Sequence, residues 1–116
     1  HPIRVNKIRA GHGPEKGGLR PQHLHCVHLL RDLGDALCSG DSVGSDDITF
    51  RPKTLRSGEF EADTQTAGSC TLLAQASLPA VEFATSRCST ILRGGTDVPF
   101  SPPSSELCMV LMPLLE

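Results

Sequence analysis

Apolar and polar residues alternate along the chain with two different periods, and the change from one period to the other predicts its secondary structure. The run IRVNKI (residues 3–8) is mostly β-branched and carries apolar residues at alternate positions, which is typical of a β-strand. Similar short runs, bounded by turn-forming residues, predict further strands in ALCSG (36–40), DITFRP (47–52), SGEFEADT (57–64) and STILRGG (89–95). The segment DSVGSD (41–46) supplies the turn between the first two of these.

Helical spacing predicts three longer helices. Pro21 opens the first, which runs to about Leu33, because proline at the first helical position costs no hydrogen bond. Its predicted buried stripe consists of Cys26, Leu29, Leu30 and Leu33. The second helix includes most of TAGSCTLLAQASLPA (66–80) and extends to Glu82, and the third lies within PPSSELCMVLMPLL (102–115).

The order of these elements predicts the fold class. Strands and helices in this order indicate an α/β (α+β) fold, with a mixed sheet and helices packed on one face. No linker interrupts the chain, so we expect residues 1–116 to form one compact unit. The chain begins HPIRV, without Met and already inside a predicted strand, and we therefore expect a fragment or a processed product.

Composition narrows the classes of partner. The chain is 38% hydrophobic and 21% charged, which suits one small soluble domain. Its formal charge of −2 provides no overall attraction to nucleic acid, so any site for a polyanion must be local. No apolar run is long enough to cross a membrane, and we expect no membrane partner.

The five cysteines do not form a disulfide or metal pattern. Their number is odd and no C-x-x-C pair occurs, so buried free thiols in a reducing compartment are expected. The cluster HLHCVH (23–28) resembles a zinc site in composition only. A helix points its side chains at widely different angles, and we therefore predict no metal ligands in this chain.

The start of the Pro21 helix is a candidate anion site. Unpaired N–H groups and the positive end of the helix dipole favour an anion there. Arg9 ends the preceding strand, Arg20 stands just before Pro21, and Gln22 and His23 lie in the first turn. Arginine can grip a phosphate with two hydrogen bonds. The alternative is a surface helix start with scattered basic residues. The glycine-rich motifs G-x-x-x-x-G-K-[ST] and G-x-G-x-x-G are absent.

Gln75 is an unexpected polar residue in the apolar second helix. It shares a narrow stripe with Thr71, Pro79 and Glu82. Pro79 has no N–H, so the carbonyl of Gln75 loses its usual donor four residues on. One interpretation is that the polar members of this stripe face water. The other is a polar notch in an apolar wall, suited to a flat heterocycle such as adenine.

Several long runs resemble a known family. KIRAG, GLRPQHL, VGSDDITFRP, TAGSCTLLAQASLPA and LRGGTDVPFSPP occur in this order, and together they resemble the RNA 3′-terminal phosphate cyclases over essentially all 116 residues. The resemblance implies a large domain of repeated βαβαββ units, of which this chain covers the end of one repeat and most of the next. An apolar face is then exposed, and the isolated chain is expected to be marginally stable, aggregation-prone or dimeric.

The resemblance also implies an activity and its residues. Members of the family use ATP and a divalent metal, Mg²⁺ or Mn²⁺, to convert an RNA 3′-phosphate end into a 2′,3′-cyclic phosphate. An enzyme histidine is adenylylated, AMP passes to the RNA phosphate, and the neighbouring 2′-OH displaces it. Gln75 and Pro102 are implied to line the adenine nucleotide pocket. Arg9, Gln22 and His23 are implied to surround the RNA terminal phosphate.

This sequence departs from the family pattern at functional positions. The N-terminal E-G-G-G-Q-I-L-R segment, with its metal-linked Glu, is missing, and His12 stands where the family usually has Arg. The nucleophilic histidine lies in the family's C-terminal region, whereas this chain has no histidine after His28. We therefore assign no catalytic residue and expect the isolated chain to be inactive.

Two other functions remain open at this stage. One is a non-catalytic RNA-binding relative acting in ribosomal RNA processing, although that branch lacks the RPQH and TAGS signatures kept here. The other is a small phosphate-binding module without chemistry. The eukaryotic members of the family imply a nuclear (nucleoplasmic) location, with the cytoplasm as the alternative for a bacterial source.

Overall fold

The first three strands form an antiparallel sheet. The structure is a computed structural model that describes residues 1–115. Strands β1 (Ile3–Val5), β2 (Leu37–Ser39) and β3 (Ile48–Arg51) lie in the order β1-β3-β2. The side chains of Ile3 and Val5 share a face with those of their partners Phe50 and Ile48, because directly paired residues point to the same side. Ile3 and Val5 are 55% and 45% exposed, so this apolar face is only partly covered. Self-association through it stays a prediction.

The prediction of a strand over residues 3–8 was wrong beyond Val5. Lys7 and Arg9 have φ of 55° and 53°, in the left-handed region, where a strand cannot continue. The N–H of Ala10 donates to the carbonyl of Lys7, which closes a turn. The glycine-rich segment that follows, residues 10–18, forms short helical turns. It contains a 3₁₀ turn (Ala10–His12) and the one-turn helix α1 (Gly13–Lys16).

Two long helices and two parallel strands form the core. Helix α2 (Pro21–Leu33) has the predicted bounds, and β4 (Gly58–Asp63) is followed by helix α3 (Cys70–Glu82) and β5 (Cys88–Arg93). Along β5, exposed residues alternate with more buried ones, and the inward residues face the helices. The core consists of Leu29 and Leu33 from α2, Ala62 from β4 and Leu73 from α3. Of the predicted α2 stripe, Cys26 and Leu30 are only half-buried.

The strands divide between two sheets. β4 pairs with β5 in parallel across the α3 crossover, separately from the antiparallel sheet. The outer face of this pair is mostly polar, apart from the exposed Ile91, and Glu61 of β4 and Arg93 of β5 form an ion pair on it. The helices therefore cover one face of the β4–β5 pair and leave the other to solvent. The α/β class is confirmed.

The C-terminal helix is continuous but irregular. It consists of α4 (Ser104–Glu106), a π-helical turn (Leu107–Leu111) and α5 (Met112–Leu115). In the π turn, the N–H of Met112 donates to the carbonyl of Leu107, five residues back. Asp97 holds the start of this helix, because its carboxylate accepts hydrogen bonds from the backbone N–H and the hydroxyl of Ser104. These two bonds lower the pKa of Asp97.

The five cysteines are all free thiols. The prediction that they are buried was wrong, because Cys108 is exposed and the other four are only partly buried. Burial raises the pKa of the Cys26 thiol, which keeps it protonated and unreactive near neutral pH. Between residues 1 and 115, the structure contains no helix with the length and apolar character required to cross a bilayer.

Candidate functional site

The first turn of α2 places His23 in a defined orientation. Arg20 is the N-cap residue, with an extended backbone, and its N–H donates to Nδ1 of His23 over 3.1 Å. The His23 side chain thus accepts from the N–H of Arg20, a backbone donor that has no partner within the helix. Since Nδ1 accepts a hydrogen bond, the proton of the neutral ring is on Nε2, which is then a donor.

The surroundings of His23 keep this ring neutral. Partial removal from water lowers its pKa below the ordinary value of 6.5, and the positive charges of Arg9 and Arg20 lower it further. At neutral pH the site therefore presents a neutral N–H donor among two permanent positive charges, which suits an anion.

The lowered pKa of His23 gives a testable pH dependence of stability. The folded state binds the His23 proton more weakly than the unfolded state, so the free energy of unfolding is expected to fall as the pH drops below 6.5. Protonation of Nδ1 also removes the hydrogen bond from Arg20. Urea unfolding across this pH range, with the imidazole followed by NMR, measures both effects. The variant His23→Asn keeps an acceptor near the Nδ1 position, and its stability is expected to vary less with pH. A His23 pKa above 6.5 contradicts the interpretation.

Arg9 is held by the glycine-rich segment. Its Nη1 donates to the carbonyl of Lys16 over 2.6 Å, and its own backbone is in the left-handed region. The segment is pinned at its far end, where the N–H of Gly18 donates to the carbonyl of Ile8 and the N–H of Leu19 to that of Ser45. Gly18 is required there, because a Cβ would lie 2.3 Å from the carbonyl oxygen of Gly44.

Gln22 is half-buried beside the loop that precedes α3. A Cβ built on Gly68 would lie 3.4 Å from the Cβ of Gln22, so the glycine and the glutamine are neighbours. Gln22 directly precedes His23 in the first turn of α2 and lies beside the Gly68 loop, and Arg9 is one of the two positive charges that lower the pKa of His23. Their role in binding phosphate stays a prediction.

Gln75 and Pro102 meet in one cleft. Together with the C-terminal helix they line a space of about 180 Å³, whose other walls are Glu106, Leu107, Val110, Leu111 and Leu114. A second, more apolar cleft of about 560 Å³ lies on the other side of Gln75, between Leu78, Pro79, Glu82, Phe83, Leu111 and Leu115. The exposed Gln75 side chain therefore stands between two clefts along the seam of α3 and the C-terminal helix.

The polar stripe of α3 divides into two parts. Gln75, Pro79 and Glu82 are exposed, whereas Thr71 is 3% exposed and donates a hydrogen bond from Oγ1 to the carbonyl of Pro102 over 2.8 Å. The interpretation that Thr71 faces water was therefore wrong. Polar residues at helical spacing are compatible with either environment, and the sequence contains no signal for the Pro102 turn that covers Thr71.

Sequence reasoning missed the C-terminal helix as a wall of this cleft. The apolar residues with which it lines the cleft follow the i, i+3, i+4, i+7 spacing of an amphipathic helix: Leu107, Val110, Leu111 and Leu114. That pattern was visible in the sequence, but nothing in it identified Gln75 and Pro102 as the partners. Glu106, which adds a carboxylate to the same cleft, was missed as well.

The resemblance implies two cofactors, ATP and a divalent metal, and the described residues offer different support for each. The cleft of Gln75 and Pro102 offers an amide beside apolar walls, which is the chemistry of a pocket for a heterocycle, although typical ligand pockets are larger, about 300 to 1,000 Å³. Within residues 1–115, no three His, Cys, Asp or Glu side chains come together in the arrangement of a metal site. We therefore assign no metal ligand and no metal-dependent step to these residues, and the divalent metal stays a prediction.

Comparison with known proteins gives consistent matches along the whole chain. The family model of RNA 3′-terminal phosphate cyclase matches residues 1–116. The chain is 47% identical over 115 residues to the RNA 3′-terminal phosphate cyclase of Ignicoccus hospitalis and 45% identical over 115 residues to that of Pyrococcus abyssi. These alignments cover 99% of this chain, but 32% and 33% of the two relatives. The chain thus spans about a third of the length of the curated relatives it matches.

Proposed function

The chain belongs to the RNA 3′-terminal phosphate cyclase family, and we propose that it binds an adenine nucleotide and an RNA 3′-phosphate at two separate places. The nucleotide lies in the cleft of Gln75 and Pro102, and the RNA phosphate at the start of α2. As part of a cyclase, these residues serve the ATP-dependent conversion of the RNA 3′-phosphate into a 2′,3′-cyclic phosphate. The observation that carries the proposal is the meeting of Gln75 and Pro102, far apart in sequence, in one cleft.

At the phosphate site, three side chains have distinct tasks. Nε2–H of neutral His23 donates one hydrogen bond, and the guanidinium of Arg9 supplies positive charge and further donors. The amide of Gln22 adds an uncharged donor beside His23. Since the imidazole is already fixed through Nδ1, little side-chain freedom is lost when the phosphate binds.

At the nucleotide cleft, the polar groups come from Gln75 of α3 and from the carboxylate of Glu106. The Gln75 side-chain amide offers both donors and an acceptor to the edge of a base, and its backbone carbonyl has no partner at Pro79. The ring of Pro102 and the apolar C-terminal helix offer surfaces to the faces of the base. No covalent step is proposed for these 116 residues, because the chain has no histidine after His28 to carry AMP.

Two variants are expected to separate the two sites. Gln75→Ala should weaken the binding of ATP and leave the binding of a 3′-phosphate oligonucleotide unchanged, and Arg9→Ala should do the reverse. The expected loss is about tenfold to a hundredfold for Arg9→Ala, because a charged hydrogen bond contributes about 1.5 to 3 kcal/mol. NMR titration of the labelled chain, with millimolar ATP and with the oligonucleotide, measures both affinities.

Controls for this experiment use the same chain. Arg51→Ala removes an exposed positive charge at the end of β3 and should leave both affinities unchanged. A 3′-hydroxyl oligonucleotide should bind more weakly than the 3′-phosphate form, and radiolabelled ATP should leave no covalent adduct. Equal affinity for the two oligonucleotides contradicts the phosphate site. A covalent AMP adduct on any histidine contradicts the absence of a covalent step.

A further inference from the structure

Two buried hydroxyl groups connect the start of α3 with the turn that carries Pro102. Ser69 is 0% exposed and Thr71 is 3% exposed. Oγ of Ser69 lies 2.6 Å from Oγ1 of Thr71, which in turn lies 2.8 Å from the carbonyl oxygen of Pro102, 31 residues further along the chain. The N–H of Leu72 donates to Oγ of Ser69 over 3.2 Å, as in an ordinary N-cap.

The direction of each hydrogen bond follows from counting protons. A carbonyl oxygen only accepts, so the single hydroxyl proton of Thr71 points to Pro102. Thr71 must then accept from Ser69, whose own oxygen accepts from Leu72. Each hydroxyl therefore donates once and accepts once. A complete chain of this kind fixes both side chains, because any rotation leaves a buried polar group without a partner.

The hydroxyl of Thr71 lies close to the proposed nucleotide site. Thr71 and Gln75 are four residues apart on α3 and therefore share a face, one above the other. The same face meets the turn of Pro102, which Asp97 holds from its other side through Ser104. Thr71 thus fixes the separation between the helix of Gln75 and the turn of Pro102 without lining the cleft itself.

We propose that Thr71 is a positioning residue of the nucleotide cleft, which holds Pro102 opposite Gln75 through its hydroxyl group. The part of this inference that concerns the nucleotide rests on the proposed function. The part that concerns the turn rests only on the hydrogen bonds of Ser69, Thr71 and Pro102. Thr71→Ser keeps the hydroxyl and is therefore expected to hold the turn. Thr71→Val keeps the shape of the side chain but has no hydroxyl, so it is expected not to hold the turn.

Three variants test this proposal. Thr71→Val removes the hydroxyl, Thr71→Ser keeps it, and Ser77→Ala is the matched control. Ser77 is also buried on α3, at 2% exposure, but its hydroxyl donates to Ala74 within the same helix and does not reach the turn. If Thr71→Val does not fold, Thr71→Ala replaces it, because alanine has the higher helix propensity.

Two measurements are made on each variant. The first is the carbonyl ¹³C resonance of Pro102 without ligand, which is expected to shift in Thr71→Val but not in Thr71→Ser or Ser77→Ala. The second is the dissociation constant for ATP from NMR titration. Thr71→Val is expected to weaken ATP about fivefold to tenfold, while the 3′-phosphate oligonucleotide binds as before.

The outcomes separate this inference from the proposed function. Loss of ATP affinity in Thr71→Val, with recovery in Thr71→Ser, supports the positioning role. An equal loss in Ser77→Ala, or an unshifted Pro102 carbonyl in Thr71→Val, overturns it. If the unsubstituted chain does not bind ATP, the proposed function fails, and the nucleotide part of this inference is overturned with it. The Pro102 resonance then still decides whether Thr71 holds the turn.

Discussion

Replacement of Leu73 by alanine is expected to cost about 3 to 5 kcal/mol of unfolding free energy, the largest effect of any single substitution proposed here. Leu73 of α3 is 0% exposed. It packs with Leu29 and Leu33 of α2 and with Ala62 of β4, so it lies where these three elements meet. Truncation leaves a cavity at the point where the three elements meet, and the rigid helices cannot close it. A small domain has about 5 to 15 kcal/mol of total stability, so a large part of it is lost.

Urea unfolding followed by circular dichroism measures this loss. The matched control is Leu114→Ala, which makes the same chemical change on the C-terminal helix, where Leu114 is 77% exposed. The control is expected to change stability by about 0.5 kcal/mol or less. If the two variants lose equal stability, the core does not lie where the structure places it.

Replacement of Gly18 by alanine is the second large expected effect, with a loss of about 2 kcal/mol or more. Gly18 has φ of 69°, a conformation that costs other residues energy, and its added Cβ would meet the backbone of Gly44 at 2.3 Å. Backbone atoms cannot rotate away as a side chain does, so the glycine-rich segment must move. The hydrogen bond from Gly18 to Ile8 and the burial of Leu19 are then weakened.

The same variant should also lose affinity for the 3′-phosphate oligonucleotide, because Arg9 and the start of α2 flank this segment. Gly11→Ala is the matched control, since a Cβ at Gly11 meets nothing within 4 Å. Denaturation and the oligonucleotide titration of both variants are the measurements. Gly18→Ala with unchanged stability contradicts the close approach of Gly18 to Gly44.

Helix starts were predictable from this sequence because their signals are local. Proline is favoured at the first helical position, and α2 begins at Pro21 as predicted. Helix α3 begins after Ser69, whose side-chain oxygen caps it, within the predicted segment. The end of β1 was not predictable, because Lys7 and Arg9 adopt left-handed conformations that neither residue type favours. The neighbouring segments impose that conformation through bonds such as Ile8 N–H to Asp46.

The candidate sites were predictable in composition but not in arrangement. The interpretation of the Pro21 helix start used residues close in sequence, and the structure fixes the His23 ring there through the N–H of Arg20. The meeting of Gln75 with Pro102 depends on a hydrogen bond to Thr71, formed between segments that no periodicity connects. Resemblance to a family supplied that pairing, whereas the physical reason for it became visible only in the structure.

The antiparallel sheet constrains the order in which the chain assembles during synthesis. Ile3 pairs with Phe50, whereas β2 and β3 are joined by a short turn. The ribosome therefore releases β1 well before its partner strand has left the exit tunnel, and Ile3 and Val5 stay available to other contacts in that interval. By contrast, β4, α3 and β5 follow one another directly in the sequence. Chaperone contacts with the nascent chain are therefore expected at β1, and they should end once β3 has emerged.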